Sequence, residues 1–268
     1  MTSAQAVRLA SPCDRAEIEV LLQKGFGDEE GFLRAFFAYV FPFCDTLVSL
    51  ENGVIAAMAA LIPCDVCVPG EADTPALYLY SLTTHPDFRG RGHAKRLLAA
   101  AQEKCSRVFL HAADESLFQM YAALGWKSAM YARYEELTLS PPLDAYEKAD
   151  GDTYFRLREE AFKNKPYVRW NPSTCRFLCA MLTSYGGGLY VSKNAALAVT
   201  ESKNNCLYVA EAFGDQALPL AAAVAREYGC RQIKLLSPCG ADAANAFPMA
   251  QTAGEDFPSP LQLSFDFS

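Results

Sequence analysis

The sequence predicts an α/β (α+β) protein in two domains, residues 1–139 and 143–268, each a sheet flanked by helices. Three observations carry this. Runs of β-branched and aromatic residues alternate with segments of helical apolar periodicity along all 268 residues. A strand-like run, Ala76 to Thr84, feeds through Arg89-Gly90-Arg91-Gly92-His93-Ala94 into a segment with Leu97, Leu98 and Ala101 in helical phase. Ser140-Pro141-Pro142 can continue neither strand nor helix, and beyond it a similar order of elements begins again.

Taken in order, Ala6 to Leu9 reads as a strand. Asp14 to Lys24 and Asp28 to Val40 read as helices, with Asp14 able to cap the first. Thr46 to Leu50 and Val54 to Pro63 form a hairpin around Glu51-Asn52-Gly53, because Asn-Gly supplies the positive-φ residues of a tight turn. The strand from Ala76 is stopped by His85-Pro86. After the glycine turn and its helix come a strand from Arg107 to His111 and a helix from Asp114 to Leu124 ending at Gly125. A strand from Met130 to Leu139 closes the first domain. In the second, Thr153 to Phe162, Ser173 to Ser184 and Gln216 to Tyr228 read as helices. Leu189 to Val191, Ala195 to Glu201, Cys206 to Phe213 and Arg231 to Leu236 read as strands.

Composition narrows the function classes. The net charge is −7, and both halves are acidic, so nucleic acid is not an expected partner; an acidic surface attracts a cationic amine instead. No run approaches the roughly 18 apolar residues of a membrane span, and the N-terminus has no signal-type apolar core, so the cytoplasm is the expected location and no membrane partner is expected. Ten scattered cysteines suit reduced, buried thiols. Cys64-x-x-Cys67 has motif spacing but lacks the second pair of a structural zinc site, and it lies in an extended run, so neither metal nor redox chemistry is expected there.

The glycine turn holds the chemistry. Arg89, Arg91, Lys95 and Arg96 crowd the start of a helix, where partial positive charge and free N–H groups already gather. Cations there cost energy that a bound phosphate recovers. A Walker A loop needs G-x-x-x-x-G-K-[ST], which is absent, and a Rossmann fingerprint needs a glycine where Lys95 stands. What remains is R-x-x-G-x-A at Arg89, Gly92 and Ala94; an ordinary glycine turn with a solvated basic helix start is the plain alternative. With its flanks, the pattern resembles the pyrophosphate motif of the GCN5-related N-acetyltransferases (GNAT). Tyr121-x-x-x-Gly125-Trp126 resembles the same family's Tyr-x-x-x-Gly-Phe signature, with Trp126 in the Phe place. The resemblance spans roughly residues 5–138.

That resemblance implies a mixed, mostly antiparallel sheet, followed in the bacterial tandem-domain type by a second, degenerate GNAT-like domain. There, Gly214-Asp215-Gln216-Ala217 stands where a phosphate turn would be, with a carboxylate in place of an anion's partner. The implied activity is transfer of acetyl from acetyl-CoA, the co-substrate, to a primary amine by direct attack through a tetrahedral intermediate; the acceptor is a small molecule or peptide, expected to be cationic. A non-catalytic acyl-CoA-binding module is the competing reading. By the same resemblance, Leu82, Thr83 and Thr84 pair with the pantetheine arm, and the backbone of Arg89, Gly90, Arg91, Gly92, His93 and Ala94 holds the pyrophosphate. The Leu82 N–H faces the thioester oxygen. Tyr121 contacts the coenzyme and protonates the departing thiolate, or simply continues the apolar stripe of its helix. Asp114 stands where the family often has a coenzyme-contacting Asn, or only caps the helix. As general base, His85, Asp28, Glu29, Glu30 and the C-terminal carboxylate all remain open; His85 also fits packing beside the turn, and the acidic trio fits the first turn of a helix.

Overall fold

The computed structural model describes residues 6–27, 30–138, 140–259 and 261–262. The chain forms two compact units, residues 1–64, 75–127 and 251–256 in the first, and residues 65–74, 128–250 and 257–268 in the second. Ser140-Pro141-Pro142, expected to separate the domains, therefore lies inside the second unit. The reason is strand pairing: residues 131–137 hydrogen-bond to 233–239, while residues 251–254 return to pair with 107–110.

The first unit opens with β1 (Val7–Leu9), a short 3₁₀ turn at Pro12–Asp14, and α1 (Arg15–Phe26). Asp14 does not cap α1. Its carboxylate instead takes both Nη groups of Arg8 at 2.7 and 2.8 Å and the Ser11 N–H at 2.6 Å, and the Arg8 bonds hold its pKa far below the carboxylate range. Next come α2 (Glu30–Ala35) and a π-helical turn, Phe36–Val40, where one continuous α-helix was expected. Strands β2 (Asp45–Glu51) and β3 (Val54–Cys67) make the anticipated hairpin, with Asn52 and Gly53 at φ 53° and 82°. There follow β4 (Thr74–Thr84), α3 (His93–Lys104), β5 (Arg107–Leu110) and α4 (Glu115–Ala123). Gln251–Gly254 add the last ladder, giving the order β1-β2-β3-β4-β5 and then this segment.

β1 with β2, β2 with β3 and β5 with Gln251–Gly254 pair antiparallel, while β4 and β5 run parallel because α3 crosses between them. Leu47, Ala57, Ala59, Leu61 and Leu79 of the sheet close over Leu97, Leu98 and Ala101 of α3, together with Val108, Tyr121 and Trp126. Alternation explains the fate of Cys64 and Cys67: three residues apart in β3, they point to opposite faces. Burial pushes the Cys67 thiol up to about 11.

The second unit contains most of β6 (Lys127–Leu137), then β7 (Glu147–Lys148), α5 (Gly151–Phe162), β8 (Tyr167–Trp170), α6 (Pro172–Ser184), β9 (Gly188–Ser192), β10 (Ala195–Lys203), β11 (Cys206–Phe213), α7 (Ala217–Glu227), β12 (Gln232–Cys239) and the start of β13 (Phe247–Gly254). Its sheet runs β6-β12-β11-β10-β9-β7. Antiparallel β9, β10 and β11 lead through α7 into parallel β12, the same sequence of steps as β2, β3, β4, α3 and β5. Strands β7, β8 and β13 were not anticipated. Two are very short, and β13 carries Pro248 near its start, which argues against a strand by composition alone. No described helix is long and apolar enough to cross a membrane.

One charged pair is fully enclosed in this unit. Arg158 of α5 donates from Nε to Glu211 of β11 at 3.0 Å and from Nη1 to the Val168 carbonyl at 2.7 Å. Tyr154 and Gln262 also donate to Glu211, at 2.5 and 3.0 Å, and the rings of Phe162 and Tyr167 lie against the guanidinium. A buried cation stripped of its counter-ion is far costlier than the intact pair is stabilising. Glu211→Ala is therefore expected to lower stability by about 3–5 kcal/mol, read from urea unfolding; a loss below about 1 kcal/mol would mean that Arg158 finds water or another anion.

Candidate coenzyme-binding site

Strand β4 is where the first unit opens. Its parallel ladder with β5 includes Leu77↔Val108 and Tyr78↔Phe109, and β5 ends at Leu110 while β4 runs on to Thr84. Three residues beyond Tyr78, Ser81 sits at φ 52°, a left-handed conformation that interrupts the pleat of a strand and is costly for a residue with a Cβ. Leu82, Thr83 and Thr84 follow directly, beyond the end of β5 in this register. Thr83 is buried beneath α1, whose Gly25 approaches so closely that an added Cβ would lie 2.2 Å from the Thr83 Oγ1.

The turn after β4 is built from glycine conformations. A 3₁₀ segment, Pro86–Phe88, leads to Gly90 at φ 76° and Gly92 at φ 79°, and α3 begins at His93. Gly92 is the N-cap and brings no side-chain acceptor, so the first N–H groups of α3 have neither intrahelical nor side-chain partners. Arg89, Gly90, Arg91 and Gly92 are exposed, Ala94 is half-buried and His93 is buried. The Nε of Arg96 is buried beside the turn without a hydrogen-bond partner. Open amide donors, a left-handed backbone and an orphaned guanidinium N–H suit an anion at this place.

The cations are not all unpaired. Arg91 donates to Oε1 of Glu51 and, at 2.9 Å, to the Asp87 carbonyl. His93 shares Glu51 through Nε2 at 2.8 Å, while Ser49 and Arg96 approach its Nδ1 at 2.9 Å each. These contacts, His93 first and Arg91 next, hold the Glu51 carboxyl below its ordinary pKa. Glu51 closes the β2–β3 hairpin far upstream, and nothing in its sequence neighbourhood marks it; only a buried carboxylate facing His93 discloses it.

Helix α4 places Tyr121 and Asp114. The carboxylate of Asp114 accepts the Leu117 N–H at 2.8 Å and the Ser116 hydroxyl at 2.7 Å, which lower its pKa. It is thus an N-cap, as a helix start with extended backbone at φ −152° requires. At the other end, the Gly125 N–H bonds the Ala122 carbonyl at 2.9 Å and the Trp126 N–H bonds the Tyr121 carbonyl at 3.1 Å, with Gly125 at φ 89°. This is a Schellman cap, and the Tyr121 and Trp126 rings pack across it with centroids 6.3 Å apart. The spacing Tyr-x-x-x-Gly-aromatic is therefore what this helix end demands. Tyr121 is buried, and burial, with a smaller contribution from Asp114, pushes its phenol up to about 12.

The candidate bases fare differently. His85 is engaged on both ring nitrogens: the Asp87 N–H donates to Nδ1 at 3.2 Å, and the Lys24 Nζ lies 2.7 Å from Nε2. Glu30 is exposed and paired with Arg34 at 2.9 Å. Asp28, Glu29 and the C-terminal carboxylate lie outside the described residues.

The acetyltransferase (GNAT) domain model matches residues 6–129. Residues 6–129 are thus a GNAT acetyltransferase domain. Solved structures extend the likeness of fold across both units. A probable N-acyltransferase from Enterococcus faecalis has a TM-score of 0.71 at 10% identity, covering 94% of this chain and 73% of that one. GCN5-related N-acetyltransferases from Anabaena variabilis and Kribbella flavida score 0.65 and 0.64, at 14% and 15% identity, each covering 92% of this chain and 72% and 71% of theirs. No curated protein matches the chain.

The GNAT turn depends on its left-handed glycines. Gly92→Ala would force an L-residue to φ 79° with its Cβ 3.3 Å from Arg96 Nη1. A loss of about 1–2 kcal/mol is expected, measured by urea unfolding; unchanged stability would mean that the turn relaxes to another conformation.

Proposed function

We propose that this GNAT domain transfers an acetyl group from acetyl-CoA to a primary amine. The observation that carries the reading is the glycine turn itself, an uncapped helix N-terminus opening directly after the parted strand β4. When bound, acetyl-CoA supplies a thioester carbonyl that an amine attacks and a thiolate that leaves.

The chain's own groups divide the remaining work. Backbone N–H groups from Arg89 to Ala94 hold the pyrophosphate. Main-chain groups of Leu82, Thr83 and Thr84, freed from β5, hold the pantetheine arm as an added strand would be held. The Leu82 N–H donates to the oxygen on which negative charge develops. Tyr121 donates the proton that the leaving sulfur needs: a phenol held up at about 12 stays protonated at neutral pH. Asp114 contributes through the geometry of α4, as its cap. The acceptor proposed is a cationic small-molecule or peptide amine, in keeping with the charge of −7. The first unit is proposed to be the catalytic domain and the second a degenerate GNAT-like domain, in a protein working in the cytoplasm.

Two measurements test this. Titration calorimetry should show acetyl-CoA binding to the parent and none to a double variant, Arg91→Glu with Gly92→Asp; no binding to the parent would end the coenzyme reading. Once an acceptor amine is found, Tyr121→Phe should lower kcat by about 10²- to 10⁴-fold with acetyl-CoA affinity nearly unchanged. An acid is lost only as pH rises through its pKa, so Tyr121 should impose no alkaline fall in kcat below pH of about 10. A fall that disappears in Tyr121→Phe would contradict the raised pKa.

A further inference from the structure

The side chains around Gly92 form a closed ring. Glu51 accepts from Arg91 on one oxygen and from His93 on the other. Arg96 reaches back to both residues, donating to the Arg91 carbonyl at 3.1 Å and to His93 Nδ1 at 2.9 Å. A guanidinium can only donate, so Nδ1 must be the acceptor, and the ring proton of His93 sits on Nε2 facing Glu51. The Ser49 hydroxyl also lies 2.9 Å from this Nδ1. The His93 side chain is fully enclosed and that of Glu51 is only 10% exposed. One carboxylate therefore grips the residues on both sides of the left-handed glycine.

We propose that Glu51 is a positioning residue for the coenzyme turn, holding Arg91 and His93 so that the backbone between them keeps its anion-binding shape before the coenzyme arrives. This rests on the coenzyme reading given above and adds to it a part played from another element. The alternative is simple charge: a carboxylate near a pyrophosphate repels it. The two roles have opposite signs. If Glu51 acted only as a charge, Glu51→Gln would tighten coenzyme binding. If it positions the turn, losing the charged hydrogen bonds must weaken binding, because the ordering of the turn then has to occur on association.

The test is calorimetric titration of the parent and of Glu51→Gln with two probes, coenzyme A and S-acetylpantetheine, which lacks the pyrophosphate. Coenzyme A affinity is expected to fall at least roughly tenfold in the variant, with S-acetylpantetheine affinity unchanged. Equal or tighter coenzyme A binding by Glu51→Gln overturns the role, and so does an equal loss for both probes, which would make Glu51 a general structural residue. A parent that fails to bind coenzyme A instead sinks the coenzyme reading itself, a result distinguishable because it does not involve the variant. Should Glu51→Gln not fold, the parent still decides. Only three histidines are present, and two-bond ¹⁵N–¹H spectra resolve their tautomers; an Nε2–H form for His93 is expected, and an Nδ1–H form overturns the ring.

Discussion

Everything at the candidate site depends on β4 outrunning its parallel neighbour, since β5 ends at Leu110 while β4 continues to Thr84. A parallel pair requires a crossover, and the crossover here is α3, so the strand that parts from its neighbour and the helix whose N-terminus faces the gap are consecutive in the chain. Ser81 at φ 52° turns the strand away from regular pairing just where main-chain groups become available. Had β4 continued in register alongside β5, its N–H and C=O groups would be spent on the ladder. Opening a sheet exposes polar backbone that must find other partners. An extended ligand arm and an anion at the helix start are partners of the right chemistry.

The second unit repeats this order of elements with a longer parallel ladder. Strands β10 and β11, helix α7 and strand β12 repeat the crossover, but β11 and β12 stay paired over four residues, Cys206 to Val209. The glycine before α7, Gly214 at φ 93°, is needed for packing: a Cβ there would lie 2.1 Å from the Asn194 carbonyl. Its neighbour Asp215 offers a carboxylate, with no cluster of arginines behind it. In place of a surface anion site, this unit encloses Arg158 with Glu211 in its interior, a charge pair satisfied by Tyr154, Gln262 and the Val168 carbonyl.

Much of the first unit was legible because short-range rules govern it. Asn52-Gly53 announces a two-residue turn, and the helix ends at Asp114 and Gly125 follow from capping chemistry alone. The glycine turn could be read for the same reason, since Gly90 and Gly92 occupy conformations that other residues resist. What escaped was decided by tertiary contact. Asp14 looks like a cap, but Arg8 from β1 and the Ser11 backbone outcompete the helix for its carboxylate. Phe36 to Val40 has helical periodicity, and no local rule distinguishes the π register it adopts. Gln251 to Gly254 pair with residues over a hundred positions earlier, a contact that leaves no trace in either segment. Glu51 belongs to the same class: its neighbours mark only a hairpin, while its partners lie on the far side of β3 and β4 in sequence.

The cluster around Glu51 changes how the basic turn should be understood. Four cations beside a helix N-terminus suggest binding by direct ion pairing, but Arg91 is turned toward Glu51 and Arg96 toward His93 and the Arg91 carbonyl. Two of the four thus act as struts. Arg89 is exposed but its Nε donates to the Thr84 carbonyl at 3.4 Å, so the groups left are amide N–H donors and the exposed Lys95, which supplies attraction at a distance. Fixed amides in a pre-set backbone lose little entropy when an anion arrives, whereas long basic side chains must be ordered at that moment. On the coenzyme reading proposed above, a carboxylate at this turn is consistent with that division: it draws flexible cations into the scaffold and leaves the backbone for the proposed contacts.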